Sequence, residues 1–149
     1  MTLQNTQKNE LPARLPNKEE FADLAAHLLE FSERTNSKSA LLYIHFNDSL
    51  KDPELKILAI KAIEHMLLLL ARDADTFAYV GDLNFVNLSI ETSEQHIPKL
   101  IEKLKSELSQ PIDLADGSSI SLSVKIGSAQ FPTQAKDCQG LLDIAKNFS

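Results

Sequence analysis

Apolar positions along this chain follow two spacings, and the switches between them mark out its elements. After Leu15-Pro16, Asn17 stands where a helix cap belongs and Glu20 follows three residues on, the reciprocal capping-box arrangement. Phe21, Leu24, Ala25, Leu28 and Phe31 recur at helical spacing, which predicts a first helix with one apolar stripe, ended by Asn36-Ser37. Ala40 to Phe46 is a short apolar run of strand length, the pattern of a buried central strand. Asp52-Pro53 opens a second helix, with Asp as cap and Pro at the first helical position. From Leu55 to Leu70 that helix is apolar around most of its circumference, which predicts burial on more than one side, part of it against a partner chain.

Thr76–Val80 and Phe85–Ile90 read as strands flanking a Gly81-Asp82 turn. A third helix carries Ile97, Leu100, Ile101, Leu104 and Leu108, and Pro98 restricts where it can begin. Beyond an Asp116-Gly117 turn, Ile120, Leu122, Val124 and Ile126 alternate with polar residues, which predicts one period-two strand. A last short helix spans about 135–146. The order α-β-α-β-β-α-β-α predicts an α+β sandwich, its central sheet mainly antiparallel and flanked by helices. Residues 1–9 read as a flexible tail and 10–149 as one domain.

Composition narrows the function. The chain has 149 residues, 43% of them hydrophobic and 24% charged, the balance of an ordinary globular domain. A net charge of −6 argues against nucleic acid and against anionic membranes as partners, but not against a small anion held by one or two arginines. The most apolar stretch, Leu55–Ala71, carries Lys56, Lys61, Glu64 and His65 and is too short and charged for membrane insertion. Cys138 stands alone, so no internal disulfide can form, and a reducing, cytoplasmic setting is expected. His27, His45, His65 and His96 lack zinc-ligand spacing, with His45 expected as a buried neutral imidazole. Cys138 has no nucleophile setting, and Glu10, Glu19 and Glu20 suit a helix start better than acid–base chemistry.

The segment with most chemistry is Arg72-Asp73-Ala74-Asp75, followed after five residues by Gly81-Asp82-Leu83-Asn84-Phe85. An Arg-x-x-Asp pair leaving an apolar helix and leading into a strand–turn–strand resembles the signature hairpin of GGDEF domains, the catalytic modules of diguanylate cyclases. Other segments fit in order: Glu10–Asn17 (ELPARLPN) is similar to the family's entry motif D-x-L-T-x-L-P-N, Ala40–Asn47 lies where the first strand delivers a metal-binding aspartate, Val124–Ala129 resembles the late S-I-G-V-A strand, and Leu141–Ala145 the helix after it. The resemblance spans nearly the whole chain and implies a fold related to the palm of nucleotidyl cyclases and polymerases.

It also implies lost catalysis. The family's two-metal chemistry uses carboxylates to hold Mg²⁺ against the triphosphate. Here His45 stands at the first-strand ligand and Asn47 at the next acidic position; in the hairpin Asp82 replaces a glycine, Leu83 the metal ligand and Asn84 the glutamate. A one-residue slip that brought in Asp82 or Asp48 would turn the strand's side chains to the opposite face. The 48–53 loop is shorter than in active relatives. Mg²⁺ and other cofactors are therefore not expected.

What the resemblance leaves is the inhibitory-site pair. Arg72 would donate to a guanine O6/N7 edge of cyclic di-GMP and Asp75 would accept from the opposite guanine edge. The bland alternative is a surface ion pair closing the helix-to-strand turn. Three functions follow: a catalytically inactive domain that serves cyclic di-GMP signalling as receptor or regulatory module, a nucleotide-independent scaffold with a protein partner or homodimer contact, or residual GTP binding or cyclase activity, which Leu83 and Asn84 disfavour.

Overall fold

The computed structural model describes residues 15–47, 50–90 and 95–147. The expected tail at 1–9, the start of the ELPARLPN run and Asp48 lie outside them. Helix α1 (Lys18–Arg34) opens with the expected capping box: Asn17 Oδ1 accepts from the Glu20 N–H and Glu20 Oε1 from the Asn17 N–H, both at 2.9 Å. Its buried line is Phe21, Ala25, Leu29 and Ser32, not the whole expected stripe; Leu24 is 43% and Phe31 37% exposed. The five apolar residues span a wider arc than one sheet face can cover, and the sheet takes the flank that includes Ser32. Burying that hydroxyl is compatible with stability because it is fully used: Ser32 Oγ donates to Ser37 O and accepts from Ser39 Oγ, both at 2.8 Å. These bonds tie the end of α1 to the start of β1 (Ser39–Phe46).

The remaining elements are α2 (Pro53–Leu70), β2 (Asp75–Gly81), β3 (Asn84–Ile90), α3 (His96–Leu108), β4 (Ile112–Asp113), β5 (Ser119–Ile120), β6 (Val124–Phe131) and α4 (Cys138–Ala145). Four strands form an antiparallel sheet in the order β2-β3-β1-β6, with β1 central as its apolar run predicts. Alternate side chains of each strand feed two cores. Leu41, Val86, Leu88 and Ala129 pack with Phe21, Ala25, Leu29, Leu141 and Leu142 of α1 and α4. Leu42, Ile44, Phe46, Phe77 and Phe85 pack with Ala59, Ile63 and Leu67 of α2 and Ile97, Leu100, Leu104 and Leu108 of α3. The α+β sandwich with a mainly antiparallel sheet is therefore observed.

Two expectations are corrected here. Helix α2 begins at Asp52-Pro53 as expected, the Asp52 side chain accepting from the Glu54 N–H at 3.0 Å, but it is not buried on several sides. Only Ala59, Ile63 and Leu67 are fully enclosed, while Ile57 is 53%, Leu68 37% and Leu69 73% exposed. One sheet face can cover only one stripe of a helix lying on it. The alternating segment 120–126 is not one strand: Ser119–Ile120 pairs with Ile112–Asp113 in a separate small hairpin around Gly117 (φ 91°), and β6 joins β1 only from Val124. Alternation records which side chains face the core, not which strand they pair with. Among the described residues, no helix is long and apolar enough to cross a membrane.

Candidate functional site

The β2–β3 hairpin turns one residue later than the glycine suggests. Gly81 pairs with Asn84, so the loop is Asp82-Leu83, with φ of 51° and 59°. Positive φ at both central residues is a type I′ turn, whose twist matches the flanking strands. Gly81 (φ 98°) serves instead at an irregularity between Tyr79 and Gly81, where the strand register shifts. Leu83 pays a steric penalty for the left-handed conformation, and its burial offsets it. Its side chain is 0% exposed in the same core as Phe46, Phe85 and Leu122. Its carbonyl accepts from the Phe46 N–H at 3.1 Å and its N–H donates to the Tyr79 hydroxyl at 3.3 Å.

His45 and Leu83, expected to mark one lost metal site, do not meet. Leu83 goes into the α2/α3 core, whereas His45 pairs across the strands with Asn84. The His45 Nδ1 lies 2.6 Å from Asn84 Oδ1, and because an amide oxygen only accepts, Nδ1 donates. His45 is half-buried rather than buried, since it sits at the sheet's end beside exposed Lys125 and Asn47. Among the described residues, no three His, Cys, Asp or Glu side chains converge as a metal site.

Arg72 and Asp75 do come together, in a different division of labour from the expected one. Arg72 follows the C-cap of α2 and Asp75 opens β2; the Asp75 N–H donates to Arg72 O at 3.0 Å, closing the turn. The Asp75 carboxylate is not at the surface: its side chain is 0% exposed, against 46% for Arg72. It accepts from the Arg72 backbone N–H (3.1 Å), Nε (3.4 Å) and Nη2 (3.3 Å) and from Ser89 Oγ (2.6 Å). Burial works against the carboxylate's charge, but the Ser89 hydroxyl, the Arg72 N–H and the guanidinium together hold it below the usual carboxylate range. The pair is thus a half-exposed guanidinium braced by a buried anion, not an exposed ion pair.

The brace extends inward through residues that the sequence did not single out. Ser89, opposite Asp75 in the register, also lies 2.8 Å from the Asn87 side-chain amide. The atom so placed is Asn87 Oδ1, while Asn87 Nδ2 is buried without a hydrogen-bond partner among the described residues; because the single Ser89 proton goes to Asp75 at the shorter distance, turning the amide over would let Nδ2 donate to Ser89 Oγ. His96, the first residue of α3, places Nε2 3.7 Å from Asp75 Oδ1, too far for a hydrogen bond, and that buried nitrogen has no hydrogen-bond partner among the described residues. Burial and the nearby Arg72 charge push the His96 pKa down, while Asp75 pulls the other way. Polar residues at alternate positions of a strand otherwise buried throughout (Asn87, Ser89) were the available signal; His96 had none, because only the packing of α3 brings it to β2.

Of the remaining candidates, His27 and His65 are exposed. Cys138 lines a cavity of ≈ 550 Å³ between α1 and α4 with Phe21, Leu29, Phe131 and Leu142, where burial and Asp137 push its thiol pKa up, away from nucleophilic use.

No sequence-family model matches the chain, and neither does any curated protein sequence. Solved structures do. The GGDEF domain of YfiN (TpbB) from Pseudomonas aeruginosa superposes with a TM-score of 0.69 at 26% identity, covering 89% of this chain and 86% of that one. A sensory-box/GGDEF family protein from Caulobacter crescentus reaches 0.77 at 18% identity, covering 89% and 88%. The fold is that of a GGDEF domain. A third GGDEF structure, the coiled coil and GGDEF domain of DgcB from Caulobacter crescentus, was solved in complex with c-di-GMP and aligns with a TM-score of 0.76 at 13% identity over 97% of this chain and 81% of that one. At the hairpin a core leucine, the Asn84 amide and the His45 imidazole bonded to that amide offer no anionic oxygen of the kind Mg²⁺ prefers.

Proposed function

We propose that this chain is a catalytically inactive GGDEF-fold module that serves cyclic di-GMP signalling as a receptor or regulatory domain, with Arg72 as the group that reads the ligand. The observation that carries the reading is the bracing of Arg72: Nε and one Nη2 hydrogen are held by a fully buried carboxylate, and the guanidinium remains half-exposed. A guanidinium fixed in this way keeps donors for a guanine O6/N7 edge and loses little freedom on binding. Asp75 acts as the positioning residue, its carboxylate being committed to Arg72 and Ser89. The neighbour with bound c-di-GMP supports the ligand class. Lost catalysis is supported by the core position of Leu83 and the His45–Asn84 bond.

Thermal shift separates the readings. Cyclic di-GMP should raise Tm with the logarithm of its excess over Kd, while GTP with Mg²⁺ should leave it unchanged and yield no cyclic product. A magnesium-dependent shift with GTP would overturn the inactive reading. A second reading, a protein-interaction scaffold, is favoured by the apolar residues that α2 leaves exposed, Ile57, Leu68 and Leu69.

A further inference from the structure

Strand β6 forms one edge of the sheet and pairs with β1 from Val124 to Phe131 without a break in register. In an antiparallel ladder, successive residues turn their N–H and C=O alternately to one neighbour and to the other. On β1, the Phe46 N–H donates to Leu83 O on the β3 side, whereas the Asn47 N–H donates to Ser123 O on the β6 side. Phe46 is the register partner of Val124, so Val124, Ile126, Ser128 and Gln130 turn their backbone groups away from β1. Gln130 shows the same phase: its N–H donates to Gln134 Oε1 at 2.8 Å, and its C=O accepts from the Gln134 N–H at 2.9 Å. Gln134 thus closes one end of the edge. At Val124, Ile126 and Ser128 the outward N–H and C=O have no backbone partner among the described residues. On the opposite edge of the sheet, by contrast, the Tyr79 N–H donates to Pro16 O at 3.0 Å.

A regular, unpaired edge is a template for one more strand, and β6 has neither proline nor bulge between Val124 and Ser128 to prevent it. Its side chains specify what that strand must carry. Val124 and Ile126 lie half-buried on the α2/α3 face, beside Ile120. On the other face Lys125 is exposed, and Tyr43, the partner of Gly127, lies with its ring centroid 6.0 Å from Lys146 Nζ. Asp82, whose charge also reaches Tyr43, sits at the β2–β3 turn on the far side of β1. A strand added here lays its side chains alternately against an apolar strip and against two lysines. We infer that the outer edge of β6 docks an extended segment of a partner protein, antiparallel to β6, with apolar residues toward α2/α3 alternating with acidic residues toward Lys125 and Lys146. The antiparallel direction lets each outward residue exchange both of its bonds with one residue of the segment. Val124 to Ser128 spans about 13 Å, which a segment of about five to seven residues fills. The inference is independent of Arg72 and of any nucleotide.

The probe is a fluorescein-labelled synthetic peptide of about seven residues alternating valine and glutamate, titrated into the full chain by fluorescence anisotropy, with amide exchange of the chain followed by NMR. In the free chain the amides of Val124, Ile126 and Ser128 should exchange faster than those of Lys125, Gly127 and Ala129, and saturating peptide should slow the first set selectively. Ser128→Pro removes one outward N–H at an edge position where proline leaves the β1 ladder intact. With folding established by circular dichroism, it should weaken binding by about fivefold to tenfold. A peptide N-methylated on the amides that face β6 tests the same bonds without altering the chain and should not bind. Lys125→Glu should weaken the valine–glutamate peptide and favour its valine–lysine counterpart. No binding of the valine–glutamate peptide, equal binding of the N-methylated one, or Val124, Ile126 and Ser128 amides already protected in the free chain would each overturn the inference; in the last case the chain itself or a second copy covers the edge.

Discussion

Replacing Leu83 by aspartate would return an acidic side chain to the hairpin, and the structure predicts loss of stability rather than gain of a metal site. The leucine is 0% exposed in the α2/α3 core. Removing a fully buried leucine forfeits about 1.5–3 kcal/mol of burial, and with the cavity left behind such truncations reach about 2–5 kcal/mol. Against this, the left-handed backbone at φ 59° is disfavoured for leucine and tolerated by aspartate, which returns roughly 1 kcal/mol. The carboxylate must also leave the core for water. The net expectation is a loss of about 2–3 kcal/mol, or roughly 5–10 °C in Tm for a chain of this size. Differential scanning fluorimetry reads this directly, with Asp82→Asn, which keeps a turn-tolerant residue in the same exposed loop, as a control expected within about 0.5 kcal/mol of wild type. A Leu83→Asp variant with unchanged Tm, or one that gains magnesium-dependent turnover of GTP, would refute the assignment of Leu83 to the core.

Two further expectations concern the Arg72 brace. Asp75→Asn removes the charge that holds Arg72 and should cost about 2 kcal/mol or more, the scale of buried charge-assisted hydrogen bonds; because the Asp75 pKa is depressed in the folded state, its contribution is complete above the unfolded value of about 3.9 and is lost as pH falls through the folded value, so the variant's deficit measured by urea unfolding should shrink below pH 4. His96 works in the same direction at higher pH: its folded pKa lies below the unfolded value of about 6.5, so the unfolded chain takes the proton first and stability falls as pH drops below that value. Tm recorded across this range should decline toward acid in the wild type, and His96→Gln should flatten the part of the slope between neutrality and the His96 titration.

The elements whose signals are local were legible in the sequence. The Asn17–Glu20 box, the Asp52-Pro53 start and the central strand at 40–46 depend on neighbours a few residues apart, and each stands where expected. What failed depended on tertiary contact. The spacing of Leu24, Leu28 and Phe31 is as helical as that of Phe21, Ala25 and Leu29, and only the sheet selects the buried flank. The alternation through Ile120–Ile126 could not show a change of sheet. At the site, the Arg-x-x-Asp spacing named two residues whose side chains meet, but the surroundings of Asp75 include Ser89 on the facing strand and His96 at the start of another helix. The substitution at Leu83 was visible as a residue type; its side chain lies in the opposite layer from His45 because the turn begins at Asp82 rather than Gly81.

The most direct test of the account is calorimetric titration of cyclic di-GMP into the wild-type chain and into Arg72→Ala. Micromolar or tighter binding, about −8 kcal/mol or better, that vanishes in Arg72→Ala is the predicted result. No heat with the wild type would contradict the receptor reading, and equal binding by the variant would contradict Arg72 as the reading group.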